Sequence, residues 1–256
     1  MTDRVVWERW RPGRGVARRI VCYDEAASTM NAAWRLADPA VGVMALTQTA
    51  GRGRFGRPWR SEPGGSLLLS LTVEARAEAA SRLSMVAALA AADAVDALAG
   101  VASTLKWPND VLLNERKTCG ILIESRVDTA GRSLAVVGVG LNLAIDLSAP
   151  GLEAATSIVD ATGRRVDTLT AADAVVAAFN ERLADAERPA ALLDAYRRRL
   201  ATLGQRVEAR SRERRFAGAA EGVGDGGELL VRTDAGELIA LRDGEVTLAS
   251  PPPASR

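Results

Sequence analysis

Histidine is absent from this 256-residue chain. Its absence removes an imidazole general base, a Ser-His triad and most zinc sites. Cysteine occurs only as Cys22 and Cys119, which make no CxxC pair and no disulfide framework. No apolar run approaches the roughly 18 residues that a membrane span requires. The first twenty residues are rich in arginine, carry Trp7 and Trp10, and lack an apolar signal core. A soluble, reducing, cytoplasmic setting with no membrane partner is expected. The formal net charge is +1, so no general field draws the molecule to nucleic acid. Apolar residues make up 48% of the chain, enough for one large core and one small one.

Lysine is nearly absent too. Lys106 and Lys117 bound one twelve-residue segment, and every other one of the 33 basic residues is arginine. A chain so biased keeps lysine where a compact, flexible ammonium is needed rather than a planar guanidinium fork.

The pattern of apolar residues and breakers predicts the elements. Residues 1–19 read as a flexible arm. Ile20–Tyr23 is a first strand, followed by a helix capped by Ser28 that runs through Asp38 with Ala33, Leu36 and Ala37 inward. Val41–Thr47 and Ser66–Val73 are strands, separated by a Gly/Arg/Pro loop at 50–65 whose glycine content predicts an unordered segment without ligand. Glu78–Ala99 is a long Ala/Leu helix closed by Gly100. Strands follow at Ser103–Trp107, Asp110–Leu113, Thr118–Arg126 and Ser133–Asn142, with Asn114-Glu115-Arg116 as a tight hairpin connection. Thr168–Glu187 and Pro189–Ala201 are helices. After Gly204 the texture changes to short, glycine-punctuated strands, which read as a small antiparallel barrel up to about residue 249. The division expected is arm 1–19, main domain 20–203, barrel domain 204–250 and a disordered tail 251–256. Strands and helices mix without strict alternation, so the class is α+β.

Two segments carry chemistry. Gly51-Arg52-Gly53-Arg54-Phe55-Gly56-Arg57-Pro58-Trp59-Arg60 satisfies G-x-G-x-x-G by pattern, but Pro58, Pro63 and Gly64-Gly65 forbid the helix that a dinucleotide fold would start there. A Walker loop is excluded because no Gly-Lys pair exists. What remains is a loop whose amides and guanidiniums can close over an anion, with Trp59 as a flat face for a purine. In the second segment, Trp107-Pro108-Asn109-Asp110 breaks a strand and turns it back. Strand, turn and strand then bring Lys106, Asp110 and Lys117 to nearby positions. Paired lysines, a turn aspartate and an arginine loop suit a reaction between two anions, such as a carboxylate attacking a phosphate, where positioned cations neutralise the repulsion.

Taken in order, Asp24–Asn31, Gln48–Trp59, Lys106–Leu122 (with KWPND and K-x-x-G-I-L) and Val137-Gly138-Val139-Gly140-Leu141-Asn142 resemble the biotin protein ligase family. Gln205–Leu248 resembles its small terminal domain. The resemblance implies an α+β catalytic domain with a mixed sheet like that of class II aminoacyl-tRNA synthetases, plus an SH3-like barrel. It implies an ATP-dependent ligase that makes biotinyl-5′-AMP and transfers biotin to a lysine of a biotin carboxyl carrier domain. ATP and Mg²⁺ would be needed, with no metal fixed by protein ligands. By matching position, Ser28, Thr29, Met30, Gln48, Gly51, Arg52, Gly53, Arg54, Lys117 and Gly120 would hold biotin. Arg52, Arg54, Arg57, Trp59, Lys106, Asn109, Asp110 and Asn142 would hold ATP or the adenylate. Lys117, Arg54 and Asp110 would be catalytic: Lys117 bridging the carboxylate and α-phosphate, Asp110 serving the incoming lysine. Gly138 and Gly140 would leave space beside the ligand. Met30 stands where some relatives carry Asn, and Ala249 where many carry Arg. Only about twenty residues precede the first catalytic strand, so repressor activity and DNA binding are not expected; a monomer or weak dimer is. The rival readings are a lipoate ligase, which shares the architecture, and a non-catalytic RNA-binding protein using the Gly/Arg loop and the barrel.

Overall fold

Eight strands scattered over the first 142 residues join into one sheet in the computed structural model, which describes residues 4–11, 15–74, 77–127, 131–148, 150–211 and 214–248. They are β1 Val5–Trp10, β2 Arg19–Ala26, β3 Val41–Gln48, β4 Ser66–Glu74, β5 Thr104–Lys106, β6 Asp110–Leu113, β7 Arg116–Val127 and β8 Ser133–Asn142. Their order is β1-β2-β3-β4-β8-β7-β6-β5. Only β2 and β3 run parallel, and α1 (Thr29–Leu36) makes the crossover between them. The other pairs are antiparallel.

Alternation along the strands sorts two faces. Odd positions of β4, β7 and β8, such as Leu67, Leu69, Leu71, Cys119, Ile121, Val137, Val139 and Leu141, join the main core. That face is covered by α2 (Ala77–Ala99), with α4 (Thr168–Leu183) and α5 (Pro189–Arg199) packed on α2 in turn. Alanines 87, 88 and 90–92 of α2 are all buried, and their small side chains let sheet and helices approach closely. Arg182 of α4 reaches Asp93 of α2 at 2.5 Å, and Arg199 of α5 reaches Asp93 at 3.3 Å and also Asp96, so charges staple the three helices. The opposite face carries a smaller cluster of Val21, Met30, Ala32, Ala33, Val41, Val43 and Val136 under α1. A short helix, α3 (Ile158–Thr162), follows the sheet.

The chain then builds a second, five-stranded antiparallel sheet from β9 Arg206–Arg210, β10 Arg215–Val223, β11 Leu229–Thr233, β12 Leu238–Leu241 and β13 Glu245–Leu248, in the order β12-β11-β10-β9-β13. It is tied to the first by the indole of Trp107, whose Nε1 donates to the Gly227 carbonyl at 2.9 Å.

The structure corrects several expectations. The segment expected to be a flexible arm contains β1, which pairs with β2 at the sheet edge, and Val16 and Ala17 are buried. The helix expected to reach Asp38 stops at Leu36, which is exposed, because Ala37 turns left-handed with φ 47°. Ser28 is its N-cap by position, but its hydroxyl caps nothing; Gln48 Oε1 takes the Thr29 amide instead, at 2.8 Å. The helix expected to Glu187 ends at Leu183 and tightens into a 3₁₀ turn. Asn114 and Glu115 do form the tight hairpin, both with positive φ (48° and 62°) as a two-residue loop of type I′ demands. Ala249 and the tail 251–256 lie outside the described residues.

Helix α4 generates a stability prediction. Asp167 caps it, accepting from the Leu169 amide at 3.0 Å, the Thr170 amide at 2.9 Å and the Thr170 hydroxyl at 2.6 Å. These bonds, led by the Thr170 hydroxyl, hold its carboxyl below the usual 3.8. Asp167→Ala should cost about 1 kcal/mol at neutral pH. Since the folded-state value is the lower one, this contribution is complete above the unfolded value and fades as pH falls below about 4. Denaturant melts of both proteins at neutral pH and at about pH 3 check it: a gap that does not narrow would refute the charged cap.

Candidate active site

Even positions of β4 to β8, such as Leu68, Gly120 and Gly140, face a cavity of about 730 Å³. β5 and β6 contribute Lys106, Asp110 and Leu112; β7 contributes Gly120 and Leu122; β8 contributes Gly138, Gly140 and Asn142. Lys117 is odd and would point into the core by simple alternation. A β-bulge prevents this: Val111 pairs with Cys119 but Leu112 pairs with Lys117, leaving Thr118 as the extra residue. The bulge turns Lys117 onto the cavity face. Its Nζ lies 2.6 Å from Asp110 Oδ1, while Asp110 sits opposite both Lys106 and Gly120 in the ladders. The three residues expected to converge do so. Thr156 and Ala154 fix the Lys117 backbone through two 2.8 Å hydrogen bonds, so the loop at 150–156 forms one wall.

The glycine–arginine loop closes the opposite side. It forms a closed ribbon. Arg52 bridges Pro58 in antiparallel fashion, Gly53 donates to Arg57 and Trp59 donates to Gly51. Phe55 sits at its tip with φ 56°, a left-handed conformation for a non-glycine residue. Arg52, Arg54 and Arg57 each have a protein partner. Arg52 meets Glu124 of β7 at 2.9 Å and Asn31 of α1 at 2.9 Å. Arg54 pairs with Asp243 and donates to the Gly244 carbonyl at 2.8 Å. Arg57, mostly exposed, meets Glu245 at 2.6 Å.

Trp59 lies across the glycine floor. A Cβ on Gly140 would fall 2.5 Å from its indole and one on Gly120 2.8 Å from it. Lys117 Nζ stands 5.6 Å from the ring centroid. The indole Nε1 is buried with no hydrogen-bond partner, a donor left waiting for an acceptor. At the other end, Met30 packs on Gly138. Beside it the Ser70 hydroxyl donates to Thr29 Oγ1 at 2.8 Å, and Thr29 Oγ1 to Gln48 Oε1 at 3.2 Å.

Of the residues expected to form the site, all line this cavity except Gly51, whose place is beside Gln48 and the Trp59 carbonyl. Two amides are committed elsewhere: Asn109 Nδ2 donates to the Ile121 carbonyl at 2.7 Å and Asn142 Nδ2 to Thr156 at 3.0 Å. These hold the walls. Cys119 next to the floor points into the core, and burial pushes its thiol up to about 12, so it is no nucleophile at neutral pH. Sequence reasoning missed Glu124, Asp243, Glu245 and the wall at 150–156.

A family model described as the biotin/lipoate A/B protein ligase family matches residues 27–142. The biotin–[acetyl-CoA-carboxylase] ligase of Paracoccus denitrificans is 40% identical over 207 residues, spanning 77% of this chain and 86% of that protein. The chain belongs to the biotin protein ligase family. The bifunctional ligase/repressor BirA of Bacillus subtilis is 30% identical over 235 residues, 86% of this chain and 71% of that one. The solved biotin protein ligase of Aquifex aeolicus in complex with biotin and ATP superposes with a TM-score of 0.77 over 90% of this chain and 99% of its own, at 24% identity, which shows a shared fold. In this biotin protein ligase most of the cavity's lining comes from the segment that the family model matches, and the 150–156 loop and β13 complete it.

The floor generates its own prediction. Gly140→Ala should keep the fold but push the Trp59 indole off β8. Its fluorescence should move to longer wavelength, and the same substitution in a Trp59→Phe background should leave emission unchanged. An unaltered spectrum in Gly140→Ala would show that the indole does not rest on this glycine.

Proposed function

We propose that the cavity joins biotin to ATP and then passes the biotinyl group to a lysine of a biotin carboxyl carrier domain. In the first step a carboxylate oxygen of biotin attacks the α-phosphorus, the bond to the bridging oxygen breaks and pyrophosphate leaves. Both reactants are anions, so the barrier is dominated by charge. The pairing of Lys117 with Asp110 over a side-chain-free floor, facing the Arg54 ribbon, is the observation that carries the reading. Lys117 would exchange Asp110 for the carboxylate and α-phosphate oxygens, and Arg54 would exchange Asp243 for phosphate. The buried Trp59 N–H supplies one further donor. Magnesium is implied by the resemblance; among the described residues no group of three or more His, Cys, Asp or Glu side chains could hold a metal ion.

In the second step the carrier's lysine nitrogen attacks the acyl carbon and AMP departs. A free lysine has a pKa of about 10.4 and is mostly protonated. Asp110, released from Lys117 by the adenylate, would orient the ammonium and take its proton. Ser28, Thr29, Met30 and Gln48 form the end suited to the bicyclic ring, with Gly138 beneath.

Incubating a recombinant carrier domain with the enzyme, ATP and either biotin or lipoate tests the substrate. Mass spectrometry should find one biotinyl adduct on one lysine and no lipoyl adduct; the reverse would overturn the assignment. Lys117→Ala should fold but lose biotin-dependent pyrophosphate exchange by about 10²- to 10³-fold. Lys117→Arg should not restore it, because a rigid fork cannot take the place of a point charge. Undiminished exchange in Lys117→Ala would remove the residue from the mechanism.

A further inference from the structure

Glu124 has no part in the steps above, yet both of its oxygens are engaged beside the cavity. Oε1 accepts from Arg52 Nε at 3.1 Å and Nη2 at 2.9 Å. Oε2 accepts from Trp34 Nε1 of α1 at 3.0 Å and lies 3.8 Å from Arg126. Arg126 in turn stacks on the Trp34 ring, 4.4 Å from its centroid. On the other edge of Arg52, Nη1 donates to Asn31 Oδ1 at 2.9 Å and reaches Ser28 Oγ at 3.4 Å. One guanidinium thus bridges α1 and β7, two walls of the cavity, and it stands at the foot of the ribbon that carries Arg54 and Trp59.

We propose that Arg52 and Glu124 form a strap across the end of the cavity built by Ser28, Thr29 and Gln48, with Glu124 as a positioning residue that keeps the ribbon's foot shut. Most of Arg52's donor directions are spent on protein acceptors, so it governs closure rather than clamping an anion. The carboxylate is required because it takes two N–H groups of the fork on one charged oxygen, an arrangement roughly twice as strong as a neutral contact. Trp34 holds the second oxygen and fixes the carboxylate's rotation. The consequence for function, which rests on the ligase reading, is that the strap sets how long the biotin end and the adenylate stay bound.

Two measurements separate the strap from that reading. The ribbon contains trypsin-sensitive bonds after Arg54 and Arg60, so digestion of the ligand-free protein reads its opening without any substrate. Glu124→Gln and Arg52→Gln should each be cut there about tenfold faster than wild type, as loss of a charge-assisted contact allows, with the melting temperature unchanged. The double variant should be cut no faster than either single one. Trp34→Phe should give a smaller acceleration in the same direction. In turnover, Glu124→Gln should raise KM for biotin and the rate of adenylate release about tenfold, while kcat changes by less than about threefold. Wild-type cleavage in Glu124→Gln, additive acceleration in the double variant, or a fall in kcat with unchanged KM would each overturn the strap. Faster cleavage in the variants together with no biotin-dependent pyrophosphate exchange in wild type would leave the strap standing and overturn the ligase reading.

Discussion

The absence of side chains at Gly120, Gly138 and Gly140 is the constraint on which the site depends. A mostly antiparallel sheet commonly packs one face on helices and leaves the other open. Here the odd positions of β7 and β8 bury Cys119, Ile121, Val137, Val139 and Leu141 against the helices, while Gly120, Gly138 and Gly140 on the other face present backbone. The same strands are therefore core wall on one side and cavity floor on the other, and period-two geometry makes the two roles independent. Met30 and Trp59 lie directly on the floor, so a single added methyl group would already collide. The bulge at Thr118 adds the one charged side chain that alternation would have turned inward. Backbone spacing, bulge and glycine together create a place where an ammonium stands over open space beside its partner.

Electrostatics of the ligand-free cavity are balanced by the protein itself. Lys117 faces Asp110, Arg52 faces Glu124, Arg54 faces Asp243 and Arg57 faces Glu245. Each pair is partly solvated, and such pairs contribute only about 0–1 kcal/mol. Phosphate and carboxylate ligands that present several oxygens to a guanidinium make stronger, bidentate contacts. For Lys117 and Arg54, exchange of the protein carboxylate for a ligand anion, as proposed above, would then need no step in which a buried cation stands alone. The arrangement keeps the cavity from carrying a dense positive field.

Much of this was legible beforehand. The strand–turn–strand of Lys106 to Lys117 predicted that Lys106, Asp110 and Lys117 come near one another, although the bulge that turns Lys117 onto the cavity face was not legible. The hairpin at Asn114-Glu115 followed from its turn residues. β1 was not legible: five of its six residues are exposed, so no burial rhythm marks Val5–Trp10, and its pairing with β2 is decided by a neighbour rather than by its own pattern. Leu36 was misplaced because helical spacing predicts a face but not where the helix stops. The partners of the loop arginines were invisible for another reason. Glu124, Asp243 and Glu245 are separated from them by 72 to 189 residues, and only tertiary structure selects which of 32 acidic residues meets which guanidinium.

Those distant partners also explain why the second sheet belongs to the site. The ribbon's foot is held by β7 and α1 through Arg52, and its tip by the turn before β13 and by β13 itself through Arg54 and Arg57. Trp107, one residue beyond Lys106, fixes the two sheets to each other through Gly227. Glu245, Val246, Thr247 and Leu248 line the cavity directly. A contribution of this sheet therefore does not hang on whether position 249 is arginine, because backbone and carboxylate groups before it already reach the ribbon. Opening the cavity must either break the tip contacts or carry the β12–β13 turn along. Since the foot and tip are fixed to different sheets, the ribbon reports on the relation between them as well as on whatever the cavity holds.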